Sequence, residues 1–375
     1  MSLTFFKRTF TLLAGLVLML GTASVSAEYA LNLHEGVTPI SHEAYRLHML
    51  IFWICVAIAV VVFGAIFVSV LFHRKSRGVV PAQFHESTAI EIMWTIVPFL
   101  ILIGIAIPAT KALVAMEDTT NSDLTIKVTG YQWKWGYDYI DDGVSFISSL
   151  STPKEQIFDK KAKGEHYLLE VDNPLVVPVD KKVRLLVTAN DVIHSWWVPD
   201  LGMKKDAIPG FVNEMWIRVD KPGTYRGQCA ELCGKDHGFM PIVVVAKNDT
   251  DYQQWLTTQK STSDADQAAA DREWSKSDLM ARGEKVYNAN CAACHQANGE
   301  GVPGVFPALK GSAIATGPLD AHLDRVMNGK PGTAMAAFAS QLKDIDIAAV
   351  VTYERNTWGN DSGEVVQPSV VKAAH

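Results

Sequence analysis

Cys229-Ala-Glu231-Leu-Cys233-Gly-Lys-Asp-His237-Gly-Phe-Met240 places two thiols, an imidazole and a thioether within twelve residues, with a carboxylate between the thiols. Thiolate and thioether are soft ligands that select copper, and imidazole suits copper as well. One loop at this spacing can offer all of them to a single metal site. A pair of exported cysteines can equally form a disulfide, and a Cys-x-x-x-Cys copper chaperone would carry the same two thiols. His237 and Met240, four and seven residues after Cys233, favour a copper site. A second candidate imidazole, His194, lies upstream in the Trp-rich segment Val192-Ile-His194-Ser-Trp196-Trp197.

Around this loop the chain reads as short strands. Leu124-Thr-Ile126-Lys-Val128 alternates apolar and polar residues, and Arg184-Leu-Leu186-Val-Thr188, Met215-Trp-Ile217-Arg-Val219 and Pro241-Ile-Val-Val-Val245 are β-branched or aromatic runs. Turn residues separate them at Asp172-Asn-Pro174, Ile208-Pro-Gly210 and Lys221-Pro-Gly223. Many short strands with such punctuation predict a β-sandwich over 119–248, with the Cys229–Met240 loop joining two strands at one end. Residues 249–274 are polar, have helical character but no evident core, and read as a linker. From 275 to 360 the texture is helical: Asp278–Tyr287 and Gln341–Tyr353 space their apolar residues for helices. The tail, 361–375, carries no clear signal.

Cys291-Ala-Ala-Cys294-His295 matches the Cys-x-x-Cys-His attachment motif of c-type haem. Two thiols one helical turn apart bond the haem vinyl groups, and the adjacent His295 reaches the iron. A redox-active disulfide would need a βαβ setting, and this segment has helical flanks. For the sixth iron ligand Met335 is preferred over Met327 and Met280. It lies 40 residues beyond His295, after the loop Gly329-Lys-Pro331-Gly332. Met/His ligation raises the iron's potential, whereas a generic methionine fills a core.

The 375-residue chain is 48% hydrophobic, and the excess lies in three N-terminal blocks. Lys7 and Arg8, the apolar run Phe10–Leu20 and the small residues Val25-Ser26-Ala27 predict a signal peptide over 1–27. Leu47–Phe72 and Ile92–Ala109 are each long enough to cross a bilayer. They predict a transmembrane helical hairpin over 28–118, with spans at about 47–72 and 91–113. Pro98 and Pro108 are tolerated in membrane helices, and Cys55 inside the first span reads as packing. Arg74, Lys75 and Arg77 between the spans belong in the cytoplasm by the positive-inside rule, which puts everything after Met116 outside. A net charge of −6 and a pI near 6.0 argue against a nucleic-acid partner.

Residues 40–247 closely resemble subunit II of haem–copper cytochrome c oxidases. The matches are Glu91-Ile-Met-Trp94-Thr-Ile-Val-Pro98, Gly130-Tyr-Gln-Trp133-Lys-Trp135, Leu169-Glu-Val-Asp172-Asn173, His194-Ser-Trp196, Lys205-Asp-Ala-Ile-Pro209-Gly210 and the opening loop. The helical segment resembles a class I cytochrome c domain, with Ala336 where that family often has proline after the ligand methionine. Together they are similar to subunit II of caa-type oxidases with a fused haem c domain.

The resemblance implies two transmembrane α-helices, an all-β cupredoxin sandwich with a binuclear copper A centre, and an all-α cytochrome c domain with covalent haem c. Cys229 and Cys233 would bridge the coppers, and His194 and His237 would each bind one. Met240 would be a weak ligand, and Glu231 would offer its backbone carbonyl. The Glu231 carboxylate would help hold a magnesium ion shared with the catalytic subunit, since oxygen ligands suit that cation. Trp133 matches the residue at which electrons enter, and Glu91 the glutamate at the mouth of a proton pathway, or else a carboxylate at a membrane edge.

Implied partners are the multi-span catalytic subunit I and subunit III, a cytochrome c or quinol-oxidising complex as donor, and a copper chaperone. The implied place is a bacterial inner membrane, with both cofactor domains on the periplasmic side. Asp138, Asp141 and Asp142 read as a docking patch for a basic donor or as a solvated loop. Two other functions stay open: a nitric or nitrous oxide reductase component, and a free-standing membrane electron carrier. A magnesium-binding role for Glu231 makes sense only against a catalytic subunit.

Overall fold

Long runs of Val, Ile, Leu and Phe without polar periodicity form two helices, α1 (Pro39–Phe72) and α2 (Thr88–Glu117). At 34 and 30 residues both exceed the ~20 needed to cross a bilayer. Their large apolar side chains face outward, with Val61 72% and Phe67 63% exposed, a surface that lipid rather than water solvates. Both helices outrun the expected spans, because polar residues such as His42 and Glu43 continue the backbone hydrogen bonding past the apolar stretch. Cys55, expected as packing, is exposed on α1.

The computed structural model describes residues 32–80, 83 and 85–375, so the expected signal peptide lies outside the described residues. The chain divides into two compact units, one holding Ser41–Thr110 and the other Val37–Ile40 with Lys111–His375.

Ten strands follow: β1 (Leu124–Tyr131), β2 (Lys134–Tyr139), β3 (Val144–Ser148), β4 (Leu175–Pro178), β5 (Val183–Ala189), β6 (His194–Val198), β7 (Met203–Ala207), β8 (Asn213–Ile217), β9 (Gly223–Cys229) and β10 (Pro241–Lys247). One sheet has the order β3-β2-β1-β5-β8 and the other β4-β10-β9-β6-β7. The β1/β5 and β4/β10 pairs are parallel and the rest antiparallel. The alternation in β1 and β5 has its expected consequence: Ile126, Val128, Leu185 and Val187 point inward and are fully buried.

Two tyrosines of β2 cross the core. Tyr137 Oη accepts from Trp196 Nε1 of the opposite sheet at 3.3 Å. Tyr139 Oη donates to the Val176 carbonyl at 2.7 Å and accepts from the Val176 N–H at 3.0 Å. Tyr139→Phe removes both Val176 bonds and leaves buried backbone groups to find new partners. It is expected to cost about 1–3 kcal/mol, read as a lower melting midpoint of the copper-domain transition.

The structure differs from the expected linker over 249–274. A helix, α3 (Asp249–Ala270), opens there with Asn248 accepting from the Asp251 N–H at 2.9 Å. Its Tyr252 and Leu256 are buried in the sandwich core. Trp255 lies 5.2 Å from the ring of Tyr139. Only one helical turn carries apolar residues, too short a stripe to show as periodicity.

The C-terminal helices are α4 (Lys276–Asn290), α5 (Leu319–Asn328), α6 (Asp344–Arg355) and α7 (Pro368–Ala373). Ser275 caps α4, accepting from the Asp278 N–H at 3.1 Å. α4 crosses α6 at Gly283, where a Cβ would collide with the Ala349 carbonyl and with Tyr353. The tail is part of this core: Val366 and Val371 are buried in it.

Candidate metal centre and haem site

Strand pairing collects the soft ligands at one end of the sandwich. His194 opens β6 and Cys229 closes β9, and these strands pair antiparallel with Trp196 opposite Cys229. The loop then turns back through Cys233 and the short helical turn His237–Phe239 to Met240, just before β10. The Cys229 N–H donates to the Met240 carbonyl at 3.0 Å, which closes the loop on itself.

The sulfurs of Cys229 and Cys233 lie 3.8 Å apart, both buried and both free thiols. His194 Nδ1 is 3.9 Å from Cys229 Sγ, and His237 Nδ1 is 3.4 Å from Cys233 Sγ. The Glu231 carbonyl oxygen is 3.3 Å from Cys229 Sγ, while its side chain belongs to an exposed residue. Ligand atoms of His194, Cys229 and Cys233 all fall within 4.8 Å of one another. Two facing sulfurs with an imidazole beside each fit a pair of soft metal ions better than a single structural zinc, whose ligands close around one point.

The electrostatics suit a cation. Cys229 is held low, first by its hydrogen bond with Cys233 against the opposing effect of burial, then by His194 and the backbone at Ser195 and Glu231. Cys233 is pushed up by the same bond and by burial. Burial alone would lower His194, but its bonds to Asp191 and Cys229 outweigh that and raise it. Asp191 Oδ1 lies 2.9 Å from His194 Nε2 and so turns Nδ1 toward the sulfurs. Gly130 lets the ring sit there, since a Cβ at that position would come within 2.7 Å of His194 Cδ2.

Trp133 reaches the same loop from the β1–β2 hairpin. Its Nε1–H donates to the Cys233 carbonyl at 3.3 Å, and Gln132 Nε2 donates to the same oxygen at 2.8 Å. The Gln132 N–H is held by Asp191 Oδ2 at 2.8 Å, so one carboxylate orients both His194 and the hairpin.

The second donor set stands at the end of α4. Cys291 caps that helix, and the turn Ala292–His295 carries Cys294 and His295. The imidazole of His295 is buried, with Nδ1 2.8 Å from the Pro307 carbonyl. That bond requires the proton on Nδ1 and leaves Nε2 for iron. Cys291 and Cys294 are free thiols, so both are available for thioether bonds. Buried His322 Nδ1 and Arg325 Nε in the same helical domain have no hydrogen-bond partner among the described residues, polar atoms that a bound haem could engage. Met335 is half-buried against this core, whereas Met327 is fully buried in it as filler.

Glu91 is exposed in the first turn of α2, where the helix dipole favours a carboxylate. The aspartates of the candidate docking patch are engaged within the chain. Asp142 pairs with Lys260 at 3.0 Å, Asp138 with Lys127 at 3.7 Å, and Asp141 accepts from the Thr125 N–H at 2.9 Å. Sequence reasoning did not find Asp191, Gln132 or the Pro307 carbonyl. Asp191, three residues before His194, was the one with a local signal.

Known proteins resemble this chain in each of its three parts. Residues 124–247 match the periplasmic domain and 26–112 the transmembrane domain of cytochrome c oxidase subunit II. Residues 278–353 match the family described as cytochrome c oxidase, cbb3-type, subunit III. The chain is 43% identical to a probable cytochrome c oxidase subunit 2 of Rickettsia conorii, over 64% of this chain and 75% of that one. It is 41% identical to cytochrome c oxidase subunit 2 of Arabidopsis thaliana, over 62% of this chain and 90% of that one. A crystal structure of the periplasmic domain of subunit II of cytochrome oxidase from Bradyrhizobium japonicum is 44% identical, covering 38% of this chain and 98% of that one, with a TM-score of 0.35. The subunit II domain implies a copper A centre, and the cytochrome c domain implies haem c. With its two membrane helices, copper-site sandwich and haem-motif domain, the chain belongs to the cytochrome c oxidase subunit II family, as a membrane-bound oxidoreductase subunit with a C-terminal cytochrome c domain.

Proposed function

We propose that this subunit accepts electrons at a covalent haem c and passes them through a binuclear copper A centre to a catalytic subunit that reduces oxygen to water with proton translocation. The observation that carries this reading is the pair of facing sulfurs 3.8 Å apart with an imidazole beside each. When bound, the two groups supply one-electron redox couples. The chain's own residues supply ligands, orientation and exclusion of water.

Cys229 and Cys233 would hold both coppers and His194 and His237 one each, with Met240 as a weak ligand and the Glu231 carbonyl completing the set. Cys291 and Cys294 attach the haem, and His295 with Met335 ligate its iron. Trp133, bonded to the Cys233 carbonyl, is where electrons reach the copper domain. The exposed Glu231 carboxylate helps hold magnesium against the catalytic subunit, and Glu91 serves the mouth of a proton pathway. The working place is a bacterial inner membrane with both cofactor domains on the periplasmic side. The partners are subunits I and III, with a cytochrome c or a quinol-oxidising complex as donor. Exported thiols oxidise readily, so loading calls on a reductant and a copper chaperone. Full copper uptake by chain secreted without either factor would count against that.

Tagged chain purified from its membranes is expected to bring a large multi-span haem subunit with it and to show a seven-line mixed-valence electron spin resonance signal. Recovery without such a subunit would sink the oxidase reading and leave a free-standing carrier. A mononuclear copper signal would sink the dicopper assignment and leave a chaperone.

A further inference from the structure

The hairpin that carries Trp133 is held on both sides by the haem-motif domain. Lys134, next to Trp133 and first in β2, donates from Nζ to Asn290 Oδ1 at 3.0 Å. Asn290 is the residue before Cys291, and its own Nδ2–H donates to the Val286 carbonyl at 3.0 Å. That bond fixes the amide and leaves Oδ1 facing the lysine. The same ammonium stands 5.4 Å from the centre of the Phe338 ring, a cation–π contact with the segment that follows Met335. On the other side of the turn, Tyr131 Oη lies 3.5 Å from Ser340 Oγ. Residues flanking Cys291 and Met335 thus grip the hairpin, whose tip bonds the Cys233 carbonyl.

We propose that Lys134 is the positioning residue that docks this chain's haem c domain on the Trp133 hairpin of its own copper domain, closing that hairpin to a diffusing donor. The proposal rests on the reading of Trp133 as the residue through which electrons pass. The chemistry of the contact supports a fixed dock rather than a transient one. Among the described residues Lys134 meets a neutral amide and an aromatic face, not a carboxylate. Burial pushes its ammonium down to about 8, opposed by the nearby Cys291, Asp191 and Asp172. A half-buried cation without a carboxylate in contact adds little net stability and is better suited to defining one geometry. Nor does such a contact depend on long-range attraction between opposite charges, so salt has little to screen. The donor protein of such a subunit therefore meets the haem c domain alone.

The test uses the intact, cofactor-loaded oxidase and follows one electron from haem c to copper after rapid reduction. Wild type is expected to transfer at a rate independent of ionic strength. Lys134→Met and Asn290→Ala should slow transfer several-fold, because a loosened dock lengthens the gap between haem and copper. Lys134→Arg, which can still donate to Asn290, should recover most of the rate. The static spectra of both centres report whether each variant has folded. Amine acylation gives a readout independent of electron transfer: Lys134 is expected to resist labelling in wild type and to react in Asn290→Ala. Unchanged transfer in Lys134→Met, or ready labelling of wild-type Lys134, overturns the dock and leaves the proposed electron route standing. Absence of any haem-to-copper transfer in wild type overturns the route itself, whatever the labelling shows.

Discussion

A Cys233→Ser chain is expected to keep its sandwich and its haem c domain yet lose the mixed-valence dicopper signal, with electron delivery to oxygen slowed by more than about a hundredfold. Loss of groups that merely orient metal ligands costs 10–100-fold, and Cys233 stands nearer than those. Its sulfur is 3.8 Å from Cys229 Sγ and 3.4 Å from His237 Nδ1, the central position between two other donors. A serine hydroxyl is a hard donor that stays protonated at neutral pH, so it cannot bridge two soft ions. The fold should survive, because the change is nearly isosteric and the Cys233 carbonyl still accepts from Trp133 and Gln132. Electron spin resonance of the purified chain checks the centre, and oxygen consumption checks delivery. A retained seven-line signal would show that Cys233 is not a bridging ligand.

His295→Ala is expected to abolish the low-spin haem c spectrum and to cut oxygen reduction driven by a protein donor by more than about a hundredfold. The imidazole is buried and its Nδ1 donates to the Pro307 carbonyl, which fixes the tautomer with Nε2 free to ligate iron. A small artificial reductant that reaches the copper domain directly should still drive oxygen reduction. This separates loss of the haem from loss of the subunit. Equal losses with both reductants would place His295 in the folding of the chain rather than in the electron route.

The two donor sets were legible in unequal degree. Cys291, Cys294 and His295 are contiguous, so their spacing alone states the chemistry. Cys229, Cys233, His237 and Met240 share one loop, and their clustering shows in the same way. His194 lies 35 residues before Cys229; the sequence offered it only as a second candidate imidazole, and the family resemblance gave it one copper. What brings it there is the β6–β9 pairing, which puts Trp196 opposite Cys229. The segment Asp249–Ala270 showed helical character but not its packing on the sandwich, for a related reason. Its three core residues, Tyr252, Trp255 and Leu256, occupy one turn, and the surface they bury against belongs to the sandwich.

The sequence by itself determined the order of parts, because each rests on local chemistry. Apolar runs longer than a bilayer is thick must be membrane helices, alternation makes half-buried strands, and Cys-x-x-Cys-His attaches haem. Tertiary structure decided what those parts do to one another. Asp191 holds both His194 and the Trp133 hairpin, and Lys134 grips the residue before Cys291 across 156 positions of chain. Contacts of that kind depend on which surfaces the two sheets and the helices leave facing each other. Hydrogen bonds form between groups that are near in space, and the period of a strand or helix encodes only which face is buried, not which partner will cover it.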